Sequence, residues 1–105
     1  MKFEVFITPT ARELLGEIRR RNAATYGKVL DKIRGLAERP ENQGRALLGP
    51  LKGFRRIVAA GRYRVIYRVV RETVAVHGVA AGVRKEGDQR DIYEIAQKLI
   101  RARLL

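Results

Sequence analysis

The chain has 105 residues, enough for one compact domain with a single core. It carries 23 Lys and Arg against 11 Asp and Glu, a formal charge of +12, and 17 of those cations are Arg. With no Cys, no Ser and one His, it excludes disulfides, thiolate metal sites, Ser or Cys nucleophiles and a His-based metal cluster.

"KFEVFIT" alternates Phe3, Val5 and Ile7 with Lys2, Glu4 and Phe6, which predicts a strand with one core-facing side. Thr8 or Thr10 then caps a helix that has Pro9 in its first turn and an apolar stripe of Leu14, Leu15 and Ile18. Asn22 is the N-cap expected for a second helix, in which Tyr26, Val29, Leu30, Ile33 and Leu36 share a side before Pro40. The two helices are expected to form an αα-hairpin. "ENQGRALLGP" reads as a loop, with Leu47 and Leu48 tucked onto the core.

From Phe54 the period changes from helix to strand. Residues 54–60, 62–71 and 73–81 form three runs separated by turn-length breaks, an antiparallel meander. In the middle run Tyr63, Val65, Tyr67 and Val69 fall on one face and Arg62, Arg64, Ile66 and Arg68 on the other. The first face is expected to pack on helices, and the second to look outward under arginine stems. "GVRKEGDQR" is a turn region in which Asp88 or Asp91 caps the last helix. Ile92, Ile95, Ala96, Leu99 and Ile100 mark that helix as amphipathic, with Tyr93 at the edge of its stripe. The predicted architecture is α+β in the order β-α-α-β-β-β-α, one domain over residues 1–105. No window approaches the ~20 apolar residues of a membrane span and no signal peptide is evident, so a cytoplasmic protein without membrane contact is expected.

Between Gln43 and Glu72 stand eight Lys and Arg and no Asp or Glu. A strand face carrying only Arg repels itself unless an anion sits there, and the guanidinium fork fits phosphate oxygens two at a time. Phe54, Tyr63, Tyr67 and Tyr93 lie among or near these cations, a composition suited to single-stranded RNA, although Tyr63 and Tyr67 share a face with Val65 and Val69 and read as core. The lone His77, inside a strand, reads as structural or merely exposed.

"LKGFRRIVAAGRYRVIYRV", the hydrophobic run after it, "GVRKEG" and "DIYEIAQKL" together resemble the RelE/ParE toxin family of bacterial and archaeal toxin–antitoxin pairs. The resemblance spans Leu51 to Leu99 and implies a microbial-ribonuclease-like fold. It further implies an endoribonuclease that cuts mRNA in the ribosomal A site by 2′-OH attack on the adjacent phosphate, with neither metal nor other cofactor. A cognate antitoxin, forming a hetero-oligomer with the toxin, the mRNA and the ribosome are the implied partners.

Carried over by motif, Arg64, Arg84, Tyr93 and Arg56 are the catalytic candidates: Arg64 on the scissile phosphate, Arg84 as second arginine, Tyr93 in proton transfer or stacking, and Arg56 as the strand cation. Lys52, Arg55, Arg62, Arg68 and Lys85 are the RNA-binding candidates. The sequence departs from the family pattern at Val58, where a second basic residue is expected. Arg keeps its proton, so Arg55 or Arg56 stabilises charge but makes a poor base. Two other readings stay open: a ParE-like inhibitor of DNA gyrase, and an inactive RNA-binding relative.

Overall fold

A computed structural model describes residues 2–102 apart from 86 and 89. Strand β1 (Glu4–Ile7) leads into α1 (Pro9–Arg21) and α2 (Ala23–Arg34). A two-residue strand β2 (Arg45–Ala46), β3 (Arg55–Ala59), β4 (Tyr63–Val70), β5 (Ala75–Val83) and α3 (Ile92–Arg101) complete the chain order. The predicted element order holds. Two pairings are additions to it: β1 lies parallel beside β5, and β2 extends the far edge, giving a five-stranded sheet of order β1-β5-β4-β3-β2.

The helix breaks arise from capping chemistry. The Thr8 side chain accepts a hydrogen bond from Ala11 N at 3.2 Å and Pro9 occupies the first turn, where its missing N–H costs nothing. Asn22 is extended, so one residue closes α1 with its own N–H and opens α2 by accepting from Thr25 N. The αα-hairpin therefore turns on a single residue. α2 stops at Arg34 and tightens into 3₁₀ turns at Gly35–Ala37 and Pro40–Asn42.

Strand alternation sorts the core into two clusters, one on each side of the sheet. Leu15, Ile18, Val29 and Ile33 of α1 and α2, with Leu36 of the turn that follows, pack against Ile57, Val65, Tyr67 and Val76. On the opposite side Ile92, Ala96 and Leu99 of α3 pack against Leu51, Ile66, Val79 and Ala80. The expectation of helices on one face only is thus corrected. Ile66, placed by alternation on the outward face, is fully buried because the amphipathic stripe of α3 needs an apolar floor. A register shift between Ile66 and Tyr67 leaves β5 one residue longer than its partner there, so Val79 and Ala80 both join this second cluster. Leu47 packs against the same cluster, but Leu48 is 82% exposed, contrary to its expected tuck, since the strand pairing of Arg45 and Ala46 turns the chain outward there. No helix among the described residues is long and apolar enough to cross a membrane.

Candidate functional site: an arginine-lined sheet face

The face shared with α3 carries Arg45, Arg56, Arg64 and Arg68. Register places Arg45 beside Arg56 and Arg56 beside Ile66; one row along, Val58, Arg64 and Gly82 lie side by side. Arg56 and Arg64 therefore project on the same side of adjacent strands, one step apart diagonally. Among the described residues no carboxylate lies within ion-pairing distance of Arg45, Arg56, Arg64 or Arg68. Arg64 is half-buried, and its Nη1 donates to the Arg62 carbonyl at 3.1 Å, which holds the side chain back along its own strand. Of these four, Arg56 and Arg64 are half-buried, and a partly desolvated guanidinium without a carboxylate partner favours an anion beside it.

Two glycines make this geometry feasible. A Cβ on Gly44, at φ 62°, would stand 1.9 Å from the Arg56 carbonyl oxygen, so only glycine lets the loop close onto β3 behind Arg56. A Cβ on Gly82 would meet Ile92 Cδ1 at 3.1 Å; its absence seats the first turn of α3 directly beside Arg64.

Arg84 and Tyr93 do come together, but in a form the sequence does not reveal. The Arg84 guanidinium lies 4.6 Å from the centre of the Tyr93 ring and is ion-paired through Nη1 with Asp91. The Asp91 side chain is 1% exposed; it also accepts from Lys85 N and, at 3.3 Å, from Tyr93 N. One carboxylate thus caps α3, closes the loop after β5 and balances the charge of Arg84. In this arrangement Arg84 orients the Tyr93 ring. The sequence marks Asp91 only as a cap; the further signal is an Arg seven residues before an Asp at a helix start.

Other candidates are dispersed. Arg55 points to the α1/α2 side, where its Nε and Nη2 donate to the Gln43 carbonyl at 3.3 and 3.0 Å. It is therefore on the opposite face from Arg56 and Arg64, because adjacent strand residues alternate. Beside it the Tyr67 hydroxyl is 2.8 Å from the carbonyl oxygens of Pro40 and Gln43. Burial pushes the Tyr67 phenol above its ordinary value, with Arg55 offsetting part of that rise. Lys52 is exposed in the loop before Phe54, and Arg68 lies over the Phe54 ring at 5.9 Å. Arg62 and Lys85, with Arg21, Leu14, Ile18 and Ala81, line a cavity of about 190 Å³ at the start of β4 and the end of β5. Nearby, Arg90 holds the exposed Asp88 carboxyl down at about 2 by hydrogen bonding to it. Among the described residues no three His, Cys, Asp or Glu side chains converge as a metal site.

The profile of the family described as ParE toxin of type II toxin–antitoxin system, parDE, matches residues 5–86. No curated protein matches the sequence significantly. Among solved structures, the RelBE2 toxin–antitoxin complex from Mycobacterium tuberculosis matches with a TM-score of 0.69 and 26% identity, over 80% of this chain and 93% of that one. A YoeB/ParE toxin from Agrobacterium tumefaciens matches with a TM-score of 0.68 and 17% identity, over 79% and 100%. A mutant of the Escherichia coli toxin RelE in its free state matches with a TM-score of 0.67 and 19% identity, over the full length of both chains.

Proposed function

The chain belongs to the ParE toxin family of type II toxin–antitoxin systems, and from that premise we propose that it is an endoribonuclease cutting ribosome-bound mRNA without a metal. The observation that carries this reading is the pair Arg56 and Arg64, on adjacent strands of one face with no carboxylate partner among the described residues. Arg64 and Arg56 take the non-bridging oxygens of the scissile phosphate and offset the charge they gain as the 2′-oxygen attacks phosphorus. The bond from phosphorus to the 5′-oxygen breaks, leaving a cyclic phosphate. Tyr93, its ring oriented by Arg84 and Asp91, supplies the proton taken up by the 5′-oxygen. No guanidinium accepts the 2′-OH proton, so that proton passes to an acceptor supplied by the ribosome.

The partner that neutralises the toxin is an antitoxin, as in the RelBE2 complex. Charge complementarity calls for an acidic, amphipathic segment that covers the arginine face or takes the place of α3 over Ile66 and Ala80.

Primer extension on mRNA translated with the purified protein tests the enzyme. Discrete cuts phased to codons are expected, with Arg64→Ala lowering their rate by about 100-fold or more while its circular dichroism stays native. Cutting at the wild-type rate by folded Arg64→Ala overturns the assignment. A second reading, inhibition of DNA gyrase through protein contacts, is favoured by the match to the ParE profile and by Val58, an apolar group 39% exposed directly beside Arg64. It expects loss of supercoiling activity and no cut RNA, so a gyrase assay run in parallel separates the two.

A further inference from the structure

We propose a second RNA-binding row on the same sheet face, made of Phe6, His77, Arg68 and Phe54, which holds unpaired bases of the mRNA that flank the scissile phosphate. The inference rests on the endoribonuclease reading. Register aligns the row across four strands: Phe6 of β1 pairs with His77 of β5, and His77 with Arg68 of β4. Phe54, just before β3, completes it, with the Arg68 guanidinium 5.9 Å from its ring centre. At a strand spacing of about 4.8 Å the row spans roughly 14 Å.

Its chemistry is that of a stacking platform. The Phe6 and His77 rings are stacked with centroids 5.4 Å apart and planes 22° from parallel. Phe6 is 43% exposed, one of three large apolar side chains among the described residues that stand out in this way, and the others, Leu48 and Val58, are not aromatic. A core-directed strand has no use for an outward Phe. Nucleobases stack on such rings whatever their identity, and a sheet bearing two or three aromatics can splay out two or three bases. Arg68 is exposed and, among the described residues, has no carboxylate within ion-pairing distance, so it is available to the phosphate between those bases.

The row connects to Arg64 by a basic path. Directly between them on β4 lies Ile66, sealed by α3 and Leu51. Around that seal, on the β3 and β2 side, stand exposed Arg45 and half-buried Arg56. A strand of RNA leaving Arg64 past Arg56 and Arg45 meets Arg68 and Phe54 next, then His77 and Phe6. The charge sign is uniform along that route, which a polyanion requires and an apolar partner does not.

The test is binding, measured by fluorescence anisotropy, of a 12-nucleotide RNA methylated at its 2′-oxygens, which no 2′-OH attack can cut. Phe6→Ala and His77→Ala are each expected to weaken binding about fivefold or more, and Phe6→Trp to retain it. A two-nucleotide RNA, too short to span the roughly 13 Å that four strand residues put between Arg64 and Arg68, is expected to bind the wild type and Phe6→Ala alike. Wild-type affinity of both alanine variants for the long RNA overturns the proposal, as does equal loss on the short and long RNAs, which marks a structural effect. Because the readout is binding, loss of the row leaves codon-phased cutting as the separate test of the enzyme, whereas wild-type protein that binds neither RNA overturns both.

Discussion

Replacing Asp91 is the sharpest test of the link between fold and site. Its carboxylate is 1% exposed and accepts from Arg84, Lys85 N and Tyr93 N. Asp91→Ala removes a helix cap, worth about 1 kcal/mol, and strands the Lys85 N–H, worth about 1 to 3 kcal/mol. Breaking a buried ion pair costs about 3 to 5 kcal/mol, but the Arg84 side chain is 34% exposed and rehydrates, so its share falls at or below the low end. These contributions overlap on one group and do not add; about 3 kcal/mol in total is expected. Against a whole stability of roughly 5 to 15 kcal/mol the variant still folds. With a urea m-value of about 1.5 kcal/mol/M, the midpoint measured by far-ultraviolet circular dichroism drops by about 2 M. Asp91→Asn, which keeps shape and one acceptor oxygen, is expected to fall between. A double-mutant cycle with Arg84→Ala should return a coupling above about 1 kcal/mol. Asp91→Ala within about 0.5 kcal/mol of wild type refutes the idea that this carboxylate locks Arg84 and the start of α3 together.

Tyr67→Phe removes a phenol held against the Pro40 and Gln43 carbonyls and should cost about 1 to 2 kcal/mol in urea denaturation. Since burial raises the Tyr67 pKa, its contribution is whole below the ordinary value of 10.0 and lost as pH climbs through the raised one; an alkaline loss of stability that Tyr67→Phe fails to diminish counts against this. Gly44→Ala, with its Cβ driven into the Arg56 carbonyl, should cost more than about 2 kcal/mol, and a melting temperature equal to wild type refutes the close approach. Val74 sits at φ 50°, a region that costs a β-branched residue about 1 to 2 kcal/mol, so Val74→Gly should raise the melting temperature by a few degrees after glycine's own entropy is counted. If Arg45, Arg56, Arg64 and Arg68 each neutralise one phosphate, log K for RNA against log salt should slope near −3, about −0.7 per contact; a slope close to zero would place RNA elsewhere.

Much of the protein is legible in the chain because its signals are local. Thr8 with Pro9 and Asn22 announce the helix ends, the change of period at Phe54 announces the strands, and Ile92, Ala96 and Leu99 announce α3. Alternation along Tyr63 to Val70 also assigns Arg64 and Arg68 to the face opposite Tyr63 and Tyr67, which holds because strand side chains change sides at every residue. Applied to β3, the same rule separates Arg55 from Arg56, although composition alone groups them as one basic cluster.

What composition and period could not reach are the pairings between distant segments. β1 lies parallel to β5, and this long-range contact brings Phe6 beside His77; nothing within either segment encodes it. The placement of α3 over Ile66 is likewise a choice made by two apolar surfaces that meet only once the chain has folded. That choice divides the arginine face into one half at Arg64 and an aromatic half at Arg68. Asp91 shows the same division: its place at a helix start is written in the sequence, but its burial and its hold on Arg84 exist only where the end of β5 and the start of α3 converge. Local residue order is enough to set the elements, their succession and the sign of the charge. Which arginines lack a carboxylate partner among the described residues was left to the folded chain, since charges are paired or kept for a ligand by contacts that cross the fold.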